Sequence, residues 1–124
     1  MSERKILYVE DNEYNRKIVR QLLSRSACKL FEAGDGETGV ALARSELPDL
    51  ILMDVQLPRM SGLDATRLLT TEADTRHIPV IVITSYALSG DRDKAIQAGA
   101  SSYIAKPYSP SELLKIVKQF LPDL

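Results

Sequence analysis

The chain has 124 residues, 44% of them hydrophobic and 27% charged, which suits one ordinary globular domain with its own core and leaves almost no room for a second. Its 16 Lys and Arg against 17 Asp and Glu leave a formal charge of -1, without the basic excess by which nucleic-acid binders displace counterions from phosphate. No stretch approaches the roughly 20 apolar residues of a membrane helix, and the run after Arg4 and Lys5 is only Ile6 to Val9, too short for a signal peptide. Cys28 is the one cysteine, so no internal disulfide is open to it; the expectation is a cytoplasmic protein with Cys28 as a small core residue.

In chain order, the first apolar run, Ile6-Leu-Tyr-Val9, has strand length, and Tyr14, Ile18 and Leu22 with Val19 and Leu23 predict an amphipathic helix over about 13–25. Lys29-Leu-Phe-Glu-Ala33 alternates, which suits an edge strand, and Val40, Leu42 and Ala43 predict a helix over about 36–46. Leu50-Ile-Leu-Met53 is continuously apolar, as a strand covered on both faces is, and Leu63, Leu68 and Leu69 follow at helical spacing over about 62–73. Val80-Ile-Val-Ile-Thr84 repeats the buried-strand pattern, Ala95 and Ile96 mark a helix over about 89–98, and Gly99 provides a left-handed stop. The last strand is Ser102-Tyr-Ile-Ala105. Ser109-Pro-Ser-Glu112 then combines an N-cap serine, a proline at the first helical position and a glutamate at the third, ahead of Leu113, Leu114, Ile116, Val117 and Phe120.

Strand and helix thus alternate five times with short connections. That pattern predicts an α/β fold: a doubly wound, five-stranded parallel sheet of order 2-1-3-4-5, a single domain over residues 1–124. In such a sheet ligands bind beyond the carboxyl ends of the strands. Glu10-Asp11 follows the first strand, Asp54 the third, Thr84-Ser85 ends the fourth, and Lys106-Pro107 follows the fifth. Three carboxylates on one rim repel unless a hard cation joins them, and oxygen ligands with open water positions suit Mg²⁺. The formal charges of three carboxylates, a divalent cation and one ammonium cancel. Converting one carboxylate to an acyl phosphate adds a negative charge that Lys106 and the Thr84 hydroxyl are placed to accept, so the rim suits phosphoryl chemistry on an aspartate. Singly, these residues have plainer explanations: Asp11 or Asn12 as a helix cap, and Lys106-Pro107 as a strand end. Their joint placement is what points to a site.

The segments Tyr8-Val-Glu-Asp-Asn12, Asp49-Leu-Ile-Leu-Met-Asp-Val-Gln-Leu-Pro58, Ser61-Gly62, Pro79-Val-Ile-Val-Ile-Thr-Ser85, Ala98-Gly-Ala100 and Tyr103-Ile-Ala-Lys-Pro107 together resemble the receiver domain of two-component response regulators. The resemblance covers essentially the whole chain and implies a (βα)5 flavodoxin-like fold. It implies that Asp54 is the phosphoacceptor, and that Asp11, Asp54 and the main-chain carbonyl of Gln56 coordinate Mg²⁺ with Glu10 acting mostly through water. It also implies that Lys106 pairs with the phosphoryl group ahead of a cis Lys106-Pro107 bond, and that Thr84 and Tyr103 form a switch pair. Glu10 departs from the aspartate found there in many receivers and is one methylene longer.

By the same resemblance, the phosphoryl donor is the phosphohistidine of a sensor histidine kinase or histidine phosphotransferase; the lone histidine, His77, lies at the opposite end of the fourth strand. The protein would catalyse only its own phosphorylation and dephosphorylation. Its output would pass to a downstream protein through the face made by the fourth helix, fifth strand and fifth helix, with no nucleic acid and no membrane involved. The chain looks like stand-alone receivers of the DivK type; a receiver cut from a hybrid histidine kinase is the alternative. An aspartate-nucleophile phosphatase fits less well, since Asp54-Val-Gln56 lacks the second acid of D-x-D. Gly34-Asp-Gly-Glu-Thr-Gly39 fits G-x-G-x-x-G, but it follows the edge strand instead of the switch-point strand. Gln56 and Tyr86 are expected to flank the site, with Tyr86 shielding an acyl phosphate from water.

Overall fold

The computed structural model describes residues 3–85 and 91–124. Its elements run β1 (Arg4–Val9), α1 (Glu13–Leu23), β2 (Cys28–Ala33), α2 (Gly36–Glu46), β3 (Leu50–Asp54), α3 (Gly62–Thr71), β4 (Val80–Thr84), α4 (Asp91–Gln97), β5 (Ser102–Ala105) and α5 (Pro110–Phe120). The strands form one sheet of order β2-β1-β3-β4-β5, every pairing parallel, so the expected doubly wound α/β topology is present.

The continuously apolar strands are explained by two core layers, one on each face of the sheet. Leu7, Val9, Ile51, Met53, Val80 and Val82 face one way and pack with Val40 and Ala43 of α2, Ala65 and Leu69 of α3, and Ala95 of α4. Ile6, Tyr8, Leu50, Leu52, Ile81 and Ile83 alternate with them and pack with Val19 and Leu23 of α1 and Leu113 and Val117 of α5. Period-two geometry sends successive side chains to opposite faces, so a strand covered on both must be apolar throughout. β2 is at the edge, as its alternation predicts.

Caps fall where local chemistry places them. Asn12, Asp35, Ser61 and Ser109 cap α1, α2, α3 and α5, and Ser109 with Glu112 completes a reciprocal capping box ahead of Pro110. Gly99 follows α4 with φ 98°, the left-handed stop that residues with a Cβ resist. The predicted start of α4 at about residue 89 lies outside the described residues.

Three apolar side chains assigned to buried faces are instead exposed. Tyr14 is 71% exposed, Ile96 54% and Leu68 39%. A row of residues spaced four apart drifts around a helix of 3.6 residues per turn, so Tyr14, Ile18 and Leu22 leave the buried line through Val19 and Leu23. Ile18 and Leu22 still edge the core, and Tyr14 is carried clear of it. Cys28 is half-buried at the start of the edge strand, its thiol 3.7 Å from the Leu23 carbonyl, and burial pushes its pKa up.

Beneath the rim, α2 approaches β1 closely at Gly39. A Cβ there would come within 2.7 Å of Val9 Cγ2, the residue immediately before Glu10. Gly39→Ala is therefore expected to destabilise the fold by about 1 to 3 kcal/mol through overpacking, despite alanine's better helix propensity. Val9→Ala in the same chain should recover part of that loss, read as a favourable coupling in a urea-unfolding double-mutant cycle.

Candidate functional site

The rim is assembled by register. Val9 is level with Met53, Asp54 with Ile83 and Thr84 with Ala105, so the residues that end or follow β1, β3, β4 and β5 lie side by side. Glu10 and Asp54 are each 1% exposed, whereas Asp11 faces solvent. One carboxylate oxygen from each of Glu10, Asp11 and Asp54 lies within 4.8 Å of the others.

Lys106 closes this cluster from β5. Its Nζ is 3.0 Å from Glu10 Oε1 and 2.9 Å from Asp54 Oδ2. Burial pulls the lysine pKa down, but the hydrogen bonds and charges of Asp54 and Glu10 outweigh it and hold the ammonium above its ordinary value. The Lys106-Pro107 peptide is cis, as the resemblance implies, and the Lys106 N–H donates to the Thr84 carbonyl at 2.7 Å.

Every polar group of Glu10 is engaged by the protein. Its N–H donates to the Ala33 carbonyl at 2.9 Å, and its own carbonyl accepts from Arg16 Nη1 at 2.6 Å. Oε1 accepts from Asn15 Nδ2 at 3.2 Å and from the Tyr8 hydroxyl at 3.4 Å as well as from Lys106, and Oε2 accepts from the Asn12 N–H at 3.3 Å. Asp54 is held more lightly: Oδ1 accepts from the Gln56 N–H at 3.2 Å, and Oδ2 from Lys106. Asn12, not Asp11, caps α1, its Oδ1 accepting the Asn15 N–H at 3.0 Å. Burial first, and then the carboxyl of Glu10, raises the Asp11 pKa above the usual carboxylate value.

An all-oxygen donor set with one open, water-facing carboxylate suits a hard divalent cation such as Mg²⁺. Glu10, with its oxygens already shared among protein donors, is the least open of the three. The Gln56 peptide sits beside Asp54, and Thr84 is buried at the end of the adjoining strand. Tyr103 lies away from the carboxylates, half-buried on the α4 face of β5 and edging a surface cavity with Arg92 and Ile96. Tyr86 is outside the described residues. His77 is exposed at the far end of β4. The glycine-rich stretch from Gly34 to Gly39 is turn and cap: Asp35 Oδ1 accepts the Thr38 N–H at 2.7 Å, and Gly39 makes room for Val9.

Nothing in the sequence pattern alone separates Asn15 and Tyr8 from ordinary helix and core positions. The available signals were that Tyr8 and Glu10, two apart, share a face of the β1 path, and that Asn15 is one turn into the helix that Asn12 caps. Asn15 and Lys106 also line a cavity of about 340 Å³ between α1 and the start of α5, with Ile18, Leu22, Tyr108 and Leu113.

Residues 6–118 match the family model of the response regulator receiver domain. The chain is 42% identical over 118 residues to the polar-differentiation response regulator DivK of Brucella anthropi, covering 95% of this chain and 96% of that protein, and equally to DivK of Brucella abortus. Among solved structures it superposes on the receiver domain of a Pseudomonas aeruginosa sensor histidine kinase with magnesium in its active-site cleft, at TM-score 0.89 and 35% identity over 98% of this chain and 99% of that one. A response regulator of Chloroflexus aurantiacus aligns at TM-score 0.91 and 26% identity over 98% and 99% of the two chains.

The cluster carries more negative than positive charge, which makes a prediction about Asp11. Asp11→Asn should raise the unfolding free energy in EDTA at neutral pH by about 0.5 kcal/mol, a small gain because screening by water discounts the repulsion. The raised Asp11 pKa means that the wild type loses stability as pH rises between the ordinary carboxylate value and that raised value. The two proteins should therefore converge as pH is lowered through that window. Millimolar Mg²⁺ should stabilise the wild type more than the variant in the same melts.

Proposed function

The chain belongs to the response regulator receiver domain family, and we propose that it accepts a phosphoryl group from a partner's phosphohistidine onto Asp54 and passes the signal on by phosphorylation-dependent protein binding. The observation that carries this reading is the pairing of a buried, lightly held Asp54 carboxylate with Lys106 Nζ at 2.9 Å beside an all-oxygen cation site. Asp54 attacks phosphorus in line; the new bond is carboxylate oxygen to phosphorus, and the bond that breaks is phosphorus to imidazole nitrogen, which keeps the electron pair and takes a proton. Lys106 neutralises charge gathering on the transferring oxygens.

Asp11, Asp54 and the main-chain carbonyl of Gln56 are the residues that would hold Mg²⁺, with Glu10 at the second layer. The ion would supply charge neutralisation between carboxylate and phosphoryl oxygens. The magnesium in the active-site cleft of the Pseudomonas receiver supports magnesium as the ion. The protein acts as catalyst only on itself.

Hydrogen bonds from Lys106 and Thr84 to the phosphoryl group are worth about 1.5 to 3 kcal/mol each. Together they approach the about 5.5 kcal/mol that moves a two-state balance from about 1:99 to 99:1. In this reading Thr84 is drawn toward the phosphoryl group and Tyr103 follows, reshaping the α4, β5 and α5 face that meets a downstream protein. The DivK relatives, response regulators matched along nearly their whole length, support the reading as a response regulator; in this proposal it acts in the cytoplasm by binding other proteins. The likeness to a sensor-kinase receiver favours a second reading, a receiver joined to a hybrid kinase; both use the same site.

Acetyl phosphate with Mg²⁺ should add one phosphoryl group to the protein by intact mass, and EDTA should prevent it. Asp54→Asn should take up none. Uptake by the Asn variant at the wild-type rate would place the acceptor elsewhere. Thr84→Ala should still be phosphorylated but lose most of the accompanying NMR shift changes around Tyr103 and α4.

A further inference from the structure

Glu10 is held from four directions by groups that do not belong to the acidic cluster: Asn15 Nδ2 at 3.2 Å, the Tyr8 hydroxyl at 3.4 Å, the Asn12 N–H at 3.3 Å and, at its backbone carbonyl, Arg16 Nη1 at 2.6 Å. Its carboxylate in turn accepts from Lys106 Nζ at 3.0 Å. A lysine ammonium sits on a flexible four-carbon stem, so its position over Asp54 depends on what fixes its partners. Asp54, the residue to be modified, cannot be the permanent anchor, because its carboxylate changes chemical identity in the proposed reaction. Glu10 persists through that step with its bonds intact.

We propose that Asn15, assisted by Tyr8, is a positioning residue: it fixes the Glu10 carboxylate as a tether for Lys106, so that the ammonium stays aimed at the phosphoryl group as Asp54 is converted to its acyl phosphate. The extra methylene of Glu10 is what makes the tether possible. It carries the carboxylate back toward α1 and the Tyr8 hydroxyl, where an aspartate falls short of both. Tyr8 is fully buried in β1 at 0% exposure, and its hydroxyl lies 3.4 Å from Glu10 Oε1 while also pairing with the Tyr108 hydroxyl. Asn15 sits in the first turn of α1, and the cap of that helix uses the Asn15 backbone N–H, not its side chain. Removing the side chain therefore leaves the cap in place.

This inference rests on the phosphoryl-transfer reading, and the experiment separates the two. Rates of phosphorylation by acetyl phosphate, read by intact mass, are compared for the wild type, Asn15→Ala, Tyr8→Phe, Glu10→Asp and Asn15→Ala in the Glu10→Asp background. Losing an orienting partner of this kind costs roughly tenfold in activity. Asn15→Ala should lower the saturating rate about tenfold, and Tyr8→Phe by a smaller factor. The acetyl phosphate concentration at half-maximal rate and the melting temperature should stay near wild type. In the Glu10→Asp background Asn15→Ala should have no further effect. An Asn15→Ala protein that reacts at the wild-type rate, or that slows by the same factor in both backbones of Glu10 and Asp at position 10, overturns the proposal. A wild type that takes up no phosphoryl group overturns the functional reading instead. The tether is then decided without metal or phosphate, by NMR of the Lys106 ammonium in EDTA: a resolved Nζ signal that Asn15→Ala broadens away supports it, and one that Asn15→Ala leaves unchanged overturns it.

Discussion

Burying Glu10 and Asp54 at 1% exposure depends on one ammonium that lies within hydrogen-bonding distance of both. An isolated carboxylate taken out of water loses several kcal/mol of hydration that only a well-placed partner restores. Here the partner comes from the far side of the sheet in sequence, 96 residues from Glu10 and 52 from Asp54. The charge triangle can therefore form only when β1, β3 and β5 are ordered with their carboxyl ends at one rim. The parallel topology and the two apolar core layers are what hold that rim together, since the central strands β3 and β4 carry no polar side chain before their last residues, Asp54 and Thr84.

The triangle does not balance. Asp11 adds a third carboxylate on the solvent side, so the side chains of the cluster alone carry excess negative charge, and their composition of hard oxygen atoms selects what restores neutrality. The same excess makes the arrangement responsive. In the proposed reaction a monoanionic carboxylate becomes a more highly charged acyl phosphate, and the neighbouring donors must redistribute. Lys106 has two carboxylate acceptors, Glu10 and Asp54, and only Glu10 is not a reactant in that step.

Much of this could be read from the residues. The five apolar runs, the alternation that puts β2 at the edge, and the Ser109 capping box specify the fold because each is a local rule that the tertiary structure reinforces. The site residues were legible because each follows a strand, and a doubly wound sheet brings those ends together. What could not be read is which atoms face each other. Asn15 joins Glu10 because α1 begins at Glu13, and a shift of one residue in that start would rotate Asn15 away. Tyr8 reads as one more apolar position in a buried strand, and its hydroxyl matters only through the length of the side chain two residues on. Tyr14, Ile96 and Leu68 were misplaced for a related reason: an apolar residue near a helical stripe is not on it, and a few tens of degrees of drift separate core from solvent.

The backbone places a second consequence beside the first. The residue whose ammonium balances Glu10 and Asp54 also donates its N–H to the Thr84 carbonyl at 2.7 Å, and Thr84 is level with Ala105 on β5. Tyr103 is two residues earlier on that strand and turns to the same face as Ala105, the side covered by α4. A rearrangement of charge at Asp54 thus reaches a residue with one end in the acidic cluster and the other in the β4 and β5 ladder, without crossing the core. Sheets this well packed resist continuous deformation, so the change has to be taken up at their edges and loops. The half-buried Tyr103 beside the exposed Ile96 lies at such an edge, which is why the proposed function places its output on the α4 and β5 side instead of the tightly layered centre of the sheet.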